Sequence, residues 1–232
     1  MSIKNDKKHR AHFSCIQQSA GKFNVMSSSE IQKGYESFLE NHVKDALMAL
    51  NADVSWEGKR VADVGSGAGI PGIPLAIELN ECIKSMHLIE ATAKKAQFLN
   101  NVSKELSLPN INIINERAET LGRSREYRAN FDIVLTRAVG YLDECLELTL
   151  PLLKVGGYSI LYRGEISSRE MELLCQVANN LGGKVSEIVD YRLFNFVKPR
   201  HILVIRKYLP TPEHYPRTPG APKKHSIFKN LQ

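Results

Sequence analysis

Residues 61–80 read VADVGSGAGIPGIPLAIELN, with four glycines in eight positions directly after an apolar run. Glycine has no Cβ and accepts left-handed backbone angles, so this density lets a backbone come close to a ligand. Two patterns overlap in the stretch. Gly67, Gly69 and Gly72 spell G-x-G-x-x-G, the turn that holds the pyrophosphate of a dinucleotide, while Asp63, Gly65, Gly67 and Gly69 spell D-x-G-x-G-x-G. A tight strand-to-helix turn without any ligand would also use glycine. Four of them so close together lower the stability of their elements with no return unless something binds there.

The acidic residues around the turn favour S-adenosylmethionine over a nicotinamide cofactor. Asp63 stands just ahead of the turn, where its carboxylate would repel a pyrophosphate and attract an ammonium group. Glu90 ends the next apolar run and is placed to accept both ribose hydroxyls of an adenosine. Nicotinamide enzymes use the same device about 20 residues on, and the interval from Gly67 is slightly longer here. After the third run comes ERAET, where the Ala118 N–H and the Glu119 carboxylate can meet an adenine edge. Alone, Glu119 would read as a solvated loop charge. On the substrate side, Arg137 in LTRAVG could pair with the cofactor carboxylate, hydrogen-bond an acceptor on the substrate, or bridge to Asp143. Arg163 is a weaker candidate of the same kind.

These residues need elements to position them. The run RVADV is followed by MHLIE, INIIN, FDIVLTRA and GYSILY, with helical stretches such as AKKAQFLNNVSKELS and YLDECLELTLPLL between. That alternation predicts an α/β protein with a mostly parallel sheet covered by helices on both faces. After the helical SREMELLCQVANNL, the runs KVSEIVDYRL and HILVIRKY have no helix between them and are expected to form an antiparallel hairpin at the sheet edge. Seven strands result. Ahead of them, residues 27–50 read as one helix with a Ser27–Glu30 capping box, whereas residues 1–26 show little periodicity. Beyond Tyr208, five prolines and one glycine in LPTPEHYPRTPGAPKKHSIF argue against regular structure and for a chain laid over the surface. The organisation expected is a basic, helical N-terminal extension (1–58), a nucleotide-binding domain (59–208) and a proline-rich basic tail (209–232).

A chain of 232 residues, 43% hydrophobic and 24% charged, is that of a globular protein with a sizeable core. It has no apolar window long enough for a membrane span and no leader-like N-terminus. Cys15, Cys82, Cys145 and Cys175 are far apart and the seven histidines are scattered, so a cytoplasmic protein with reduced thiols and no metal site is expected. The net charge of +6 is gathered at the two ends. Basic ends on a near-neutral body point to nucleic acid, although solvated tails would look the same.

With these residues in view, the stretches DVGSGAGIPGIPLAI, ERAET, LTRAVGYLDE, LPLLKVGG and YPRTPGAPKK resemble the GidB/RsmG family, from about Phe23 to Lys224. The family consists of Rossmann-like class I methyltransferases that modify N7 of a guanine in bacterial 16S ribosomal RNA. The resemblance implies S-adenosylmethionine contacts at Gly65, Ile70, Ala118, Glu119 and Arg137, with Glu90 on the ribose. It also implies 16S ribosomal RNA, free or in the small ribosomal subunit, as partner; a monomer is expected. Departures occur at Arg163-Gly164, where the family has Lys-Gly, and at Arg217-Thr218, where it often has Arg-Arg. His42 and Asp45 match a family H-x-x-D segment.

Guanine N7 carries a free lone pair at neutral pH, so in-line methyl transfer to it needs alignment rather than a general base. This agrees with the absence of an acid–base pair around the turn. In the tail, Arg217, Lys223, Lys224 and Lys229 have no acidic partner nearby in sequence, and the first three are expected to contact RNA phosphates. A strap packed back on the domain is the other possibility for this segment. Two other functions stay open at this point: a nicotinamide-dependent oxidoreductase and a non-catalytic RNA-binding or ribosome-assembly protein.

Overall fold

The computed structural model describes residues 3–137, 140–193 and 198–227. Lys229 and much of the connection FNFVKPR lie outside the described residues. The first element is a helix, α1 (Asp6–Gln18). The sequence hides it because the side chains buried at helical spacing are His9, His12, Phe13 and Ile16, two of them polar. Each histidine is buried with a partner: His9 Nε2 lies 2.9 Å from Glu78 Oε1, and His12 Nε2 lies 2.8 Å from the Ala68 carbonyl.

The single helix expected over 27–50 is instead a broken series: α2 (Ser28–Gln32), α3 (Gly34–Phe38), a π-helical turn (Leu39–Lys44), α4 (Asp45–Leu47) and a 3-10 turn (Met48–Asn51). Gly34, at φ 79°, sits in the left-handed region and breaks the run between α2 and α3. At the start of α2, the Ser27 side chain accepts the Glu30 N–H as expected of a cap.

The remainder alternates as anticipated: β1 (Arg60–Val64), α5 (Gly72–Glu78), β2 (Ser85–Ile89), α6 (Ala93–Glu105), β3 (Ile111–Ile114), α7 (Ala118–Arg123), β4 (Phe131–Arg137), α8 (Leu142–Thr149), a 3-10 turn (Leu150–Leu152), β5 (Leu153–Arg163), α9 (Ser168–Asn180), β6 (Gly183–Tyr191) and β7 (Arg200–Lys207). The strands form one seven-stranded sheet in the order β3-β2-β1-β4-β5-β7-β6. The first five are parallel, and β7 runs antiparallel to both β5 and β6. Because the order reverses beside β1, the carboxyl ends of β1 and β4 flank the crevice where such sheets bind ligands.

Alternate residues of each strand feed two separate cores. Val61, Met86, Leu88, Ile133, Leu135 and Ile160 join α1, α5 and α6 on one face. Ala62, Val64, Ile89, Val134 and Leu161 join α7, α8 and α9 on the other. The N-terminal helices are part of the first core, through Phe13, Ile16, Phe38 and Val43. Among the described residues no helix is long and apolar enough to cross a membrane.

The tail departs from expectation in one respect: it contains a short helix, α10 (Ala221–Lys224). It is also firmly held. Arg128 donates to the carbonyls of Thr211 and Tyr215 at 2.7 Å each, and Arg123 Nε donates to the Pro216 carbonyl at 2.7 Å.

Candidate active site

The glycine turn follows β1 directly, and its glycines have different duties. Gly65, Gly67 and Gly69 have φ of 75°, 54° and 85°, where a side chain is strained. A Cβ on Gly67 would meet only the Gly65 carbonyl at 3.8 Å, so that position is open toward a ligand. On Gly69 a Cβ would strike Ile73 Cδ1 at 2.2 Å, and on Gly72 it would strike Leu88 Cδ2 at 2.4 Å. Those two glycines let α5 pack against the sheet. Pro71 and Pro74 stand at the start of α5, as their spacing predicts.

Glu90, immediately after β2, ties the turn in place. Its Oε2 accepts the Gly67 N–H at 3.0 Å and its Oε1 accepts the Thr92 N–H at 2.8 Å. Around it opens a cleft of about 310 Å³ whose lining includes Gly65, Glu90, Ala118, Glu119, Glu144 and Lys223. Three wider grooves, of about 350, 490 and 650 Å³, contain none of the expected site residues. The cleft therefore brings together Gly65, Glu90, Ala118 and Glu119 from the ends of three strands.

Glu119 is not presented to the cleft as a free carboxylate. Arg117 Nη2 donates to its Oε1 at 2.6 Å, Arg117 Nε to its Oε2 at 3.2 Å, and the Gly220 N–H to its Oε1 at 2.9 Å. Burial would raise its pKa, but the Arg117 and Gly220 hydrogen bonds outweigh burial and hold the carboxyl below its ordinary value. Nearby, burial raises Glu144, helped by Asp143 and Glu119 and opposed by Lys223.

Asp63, Ile70 and Arg137 lie elsewhere. Asp63 and Arg137 alternate onto the other face of the sheet, and Ile70 packs against the core there. Asp63 is fully buried and accepts the Gly72 N–H through Oδ2 at 3.1 Å. Burial pushes its carboxyl up to about 7, against the Gly72 N–H and the Arg137 charge. Its Oδ1 is buried without a hydrogen-bond partner.

Arg137 does not meet Asp143. Its Nη1 pairs with Asp45 Oδ2 at 3.2 Å and its Nη2 donates to His42 Nδ1 at 3.0 Å. Asp45 also takes Arg200 Nε at 2.9 Å and Tyr191 Oη at 2.6 Å. Burial, then the Arg137 charge, brings His42 down to about 4, so it is neutral and able to accept. The H-x-x-D segment is thus the clamp on the arginine at the end of β4, a role no sequence spacing reveals. Arg163 braces the loop after β4, with Nη1 donating to the Gly140 carbonyl at 3.1 Å and Nη2 lying 2.6 Å from Cys145 Sγ.

Arg217, with no acidic partner nearby in sequence, finds one across the fold: it forks onto the buried Glu147 carboxylate, Nη2 to Oε2 at 2.6 Å and Nε to Oε1 at 2.9 Å. Lys223 and Lys224 are exposed.

The residues fit S-adenosylmethionine. The open face of Gly67 permits close approach, Glu90 has lone pairs left for ribose hydroxyls, and the orphaned Asp63 Oδ1 matches a missing donor.

A family model described as GidB, rRNA small subunit methyltransferase G, matches residues 6–196. Ribosomal RNA small subunit methyltransferase G of Trichodesmium erythraeum is 39% identical over 198 residues, covering 83% of this chain and 77% of its own. The protein of that name from Nostoc punctiforme is 32% identical over 226 residues, covering 97% of this chain and 92% of its own. Among solved structures, a SAM dependent methyltransferase from Aquifex aeolicus has a TM-score of 0.56 at 16% identity, over 79% of this chain and 99% of that one. M. jannaschii TYW2 in complex with AdoMet has a TM-score of 0.52 at 21% identity, over 78% of this chain and 75% of that one. These two likenesses concern the fold, which is that of Rossmann-like methyltransferases. The family follows from the sequence matches: the chain belongs to the GidB family, rRNA small subunit methyltransferase G.

Proposed function

We propose that the chain transfers a methyl group from S-adenosylmethionine to N7 of a guanine in bacterial 16S ribosomal RNA, acting as a cytoplasmic monomer on RNA free or within the small ribosomal subunit. The observation that carries this reading is the Glu90–Gly67 unit at the mouth of β1 and β2, in a chain of this family. When bound, S-adenosylmethionine supplies an electrophilic methyl carbon. Glu90 orients the ribose, with two carboxylate lone pairs already on backbone N–H groups and the rest open to hydroxyls. Gly65, Gly67 and Ala118 shape the backbone wall, Gly69 and Ile70 continue the turn toward the face that Asp63 and Arg137 share, and Asp63 offers its unpartnered Oδ1 to the ammonium end.

No residue is asked to remove a proton, because N7 has none to lose. The chain's task is to hold the base in line, a positioning effect that can reach about 7–11 kcal/mol. Arg137, clamped by Asp45 and His42, is the arginine proposed for the cofactor carboxylate or for guanine O6. Arg163 is the second substrate-side candidate. Lys223 and Lys224 are the tail cations proposed for RNA phosphates, with Arg217 committed to Glu147 instead.

Calorimetry with S-adenosylmethionine, S-adenosylhomocysteine and NAD separates this reading from an oxidoreductase and from an assembly protein. The first two ligands are expected to bind and NAD is not. Binding of NAD alone, or of no cofactor at all, would overturn the proposal.

A further inference from the structure

Three carboxylates on α7 and α8 are inside the protein, and the tail supplies hydrogen bonds to each. Glu119 accepts the Gly220 N–H at 2.9 Å. Asp143 Oδ2 accepts Ser226 Oγ and the Ile227 N–H, both at 2.6 Å. Glu147, with no exposed surface, accepts the Arg217 N–H at 2.7 Å besides the guanidinium fork. A carboxylate out of water is tolerated only where donors match its oxygens. Residues 217–227 lie across all three and supply these donors, so the segment is a fixed strap of the domain.

The strap also reaches the cofactor cleft. Lys223 lines it together with Ala118, Glu119 and Glu144, whereas the adjacent Lys224, also exposed, does not. The Glu119 carboxylate, which lines that cleft, also accepts the Gly220 N–H. We infer that the strap is a wall of the cofactor cleft: Lys223 closes it over the adenosine half, Gly220 positions Glu119, and adenosine binding and strap docking reinforce each other. This rests on the cofactor reading above. It adds that a segment read for RNA contact or as a strap is part of the cofactor's binding surface, so the phosphate contacts proposed for Lys223 and Lys224 and the cofactor contact of Lys223 share one short piece of chain.

Coupling of this kind is reciprocal: whatever the docked strap adds to cofactor affinity, bound cofactor returns as protection of the strap. The test uses the full chain and S-adenosylhomocysteine, without RNA. Calorimetry of Lys223→Ala is expected to show affinity about three- to tenfold weaker, the worth of one rim-exposed charged contact, with Lys224→Ala unchanged. Hydrogen exchange is expected to slow at the Gly220 and Ile227 amides on ligand addition. Both variants alter exposed side chains, so the fold is kept. Equal affinity for the two variants and the unaltered chain, with tail exchange indifferent to ligand, would overturn the inference while leaving the cofactor reading intact. Failure of the unaltered chain to bind would instead overturn the cofactor reading, and the wall with it.

Discussion

Glu90 accepts the Gly67 N–H at 3.0 Å, which joins the acid after β2 to the glycine turn after β1 as one unit. Removing the carboxylate therefore costs both a ribose acceptor and a tie on the turn. Glu90→Ala is expected to weaken S-adenosylhomocysteine binding by about 1.5–3 kcal/mol, the range for hydrogen bonds to a charged group. Glu90→Gln, which keeps one acceptor oxygen, is expected to lose less. A dissociation constant unchanged in Glu90→Ala, measured by calorimetry, would remove the ribose role.

Asp45 is wholly buried between Arg137 and Arg200, with Tyr191 Oη on the same oxygen as Arg200. Neutralising it removes the negative charge that pairs with both guanidinium groups. Asp45→Asn should lower stability by about 3–5 kcal/mol, as breaking one side of a buried ion pair does. The urea midpoint measures this at constant slope. A loss below about 1 kcal/mol would mean that the cluster is more solvated than its burial implies.

One of the two buried histidines of α1, His12, makes stability depend on pH. Its ordinary value is 6.5, and burial brings His12 down to about 4, opposed by its bond to the Ala68 carbonyl. Above pH 6.5 neither the folded nor the unfolded chain is protonated there. As pH falls toward 4, the unfolded chain takes up a proton that the folded chain refuses, so stability is lost. At pH 5 the loss from this group is about 2 kcal/mol. His12→Gln should therefore be less destabilised, relative to the unaltered chain, at pH 5 than at pH 7 by about that amount. Neighbouring His9 and His42 titrate in both proteins and largely cancel. Urea unfolding at the two pH values decides it, and an identical difference at both would contradict the assignment.

Much of this was legible in the sequence because local patterns caused it. The strand runs, the glycine turn and the acid at Glu90 each follow from spacing within one element. Long-range satisfaction of buried polar groups left no such trace. α1 was hidden because His9 and His12 are core residues only when Glu78 and Ala68 supply their partners. Arg137 found Asp45 rather than the nearby Asp143, whose carboxylate is taken by the tail. Arg217 found Glu147, seventy positions away. Gly34 did carry a local signal: a glycine inside a helical run whose left-handed backbone divides it.

The central claim is methyl transfer to guanine N7, and the nucleoside product tests it most directly. Purified protein is incubated with isotopically labelled S-adenosylmethionine and either naked 16S ribosomal RNA or small subunits from cells lacking the activity. The RNA is then digested and the labelled nucleoside identified by mass spectrometry. The account predicts label in 7-methylguanosine, at one position of the RNA. Label on an exocyclic amine, on a ribose hydroxyl or on a pyrimidine, or no label with either substrate, would contradict it.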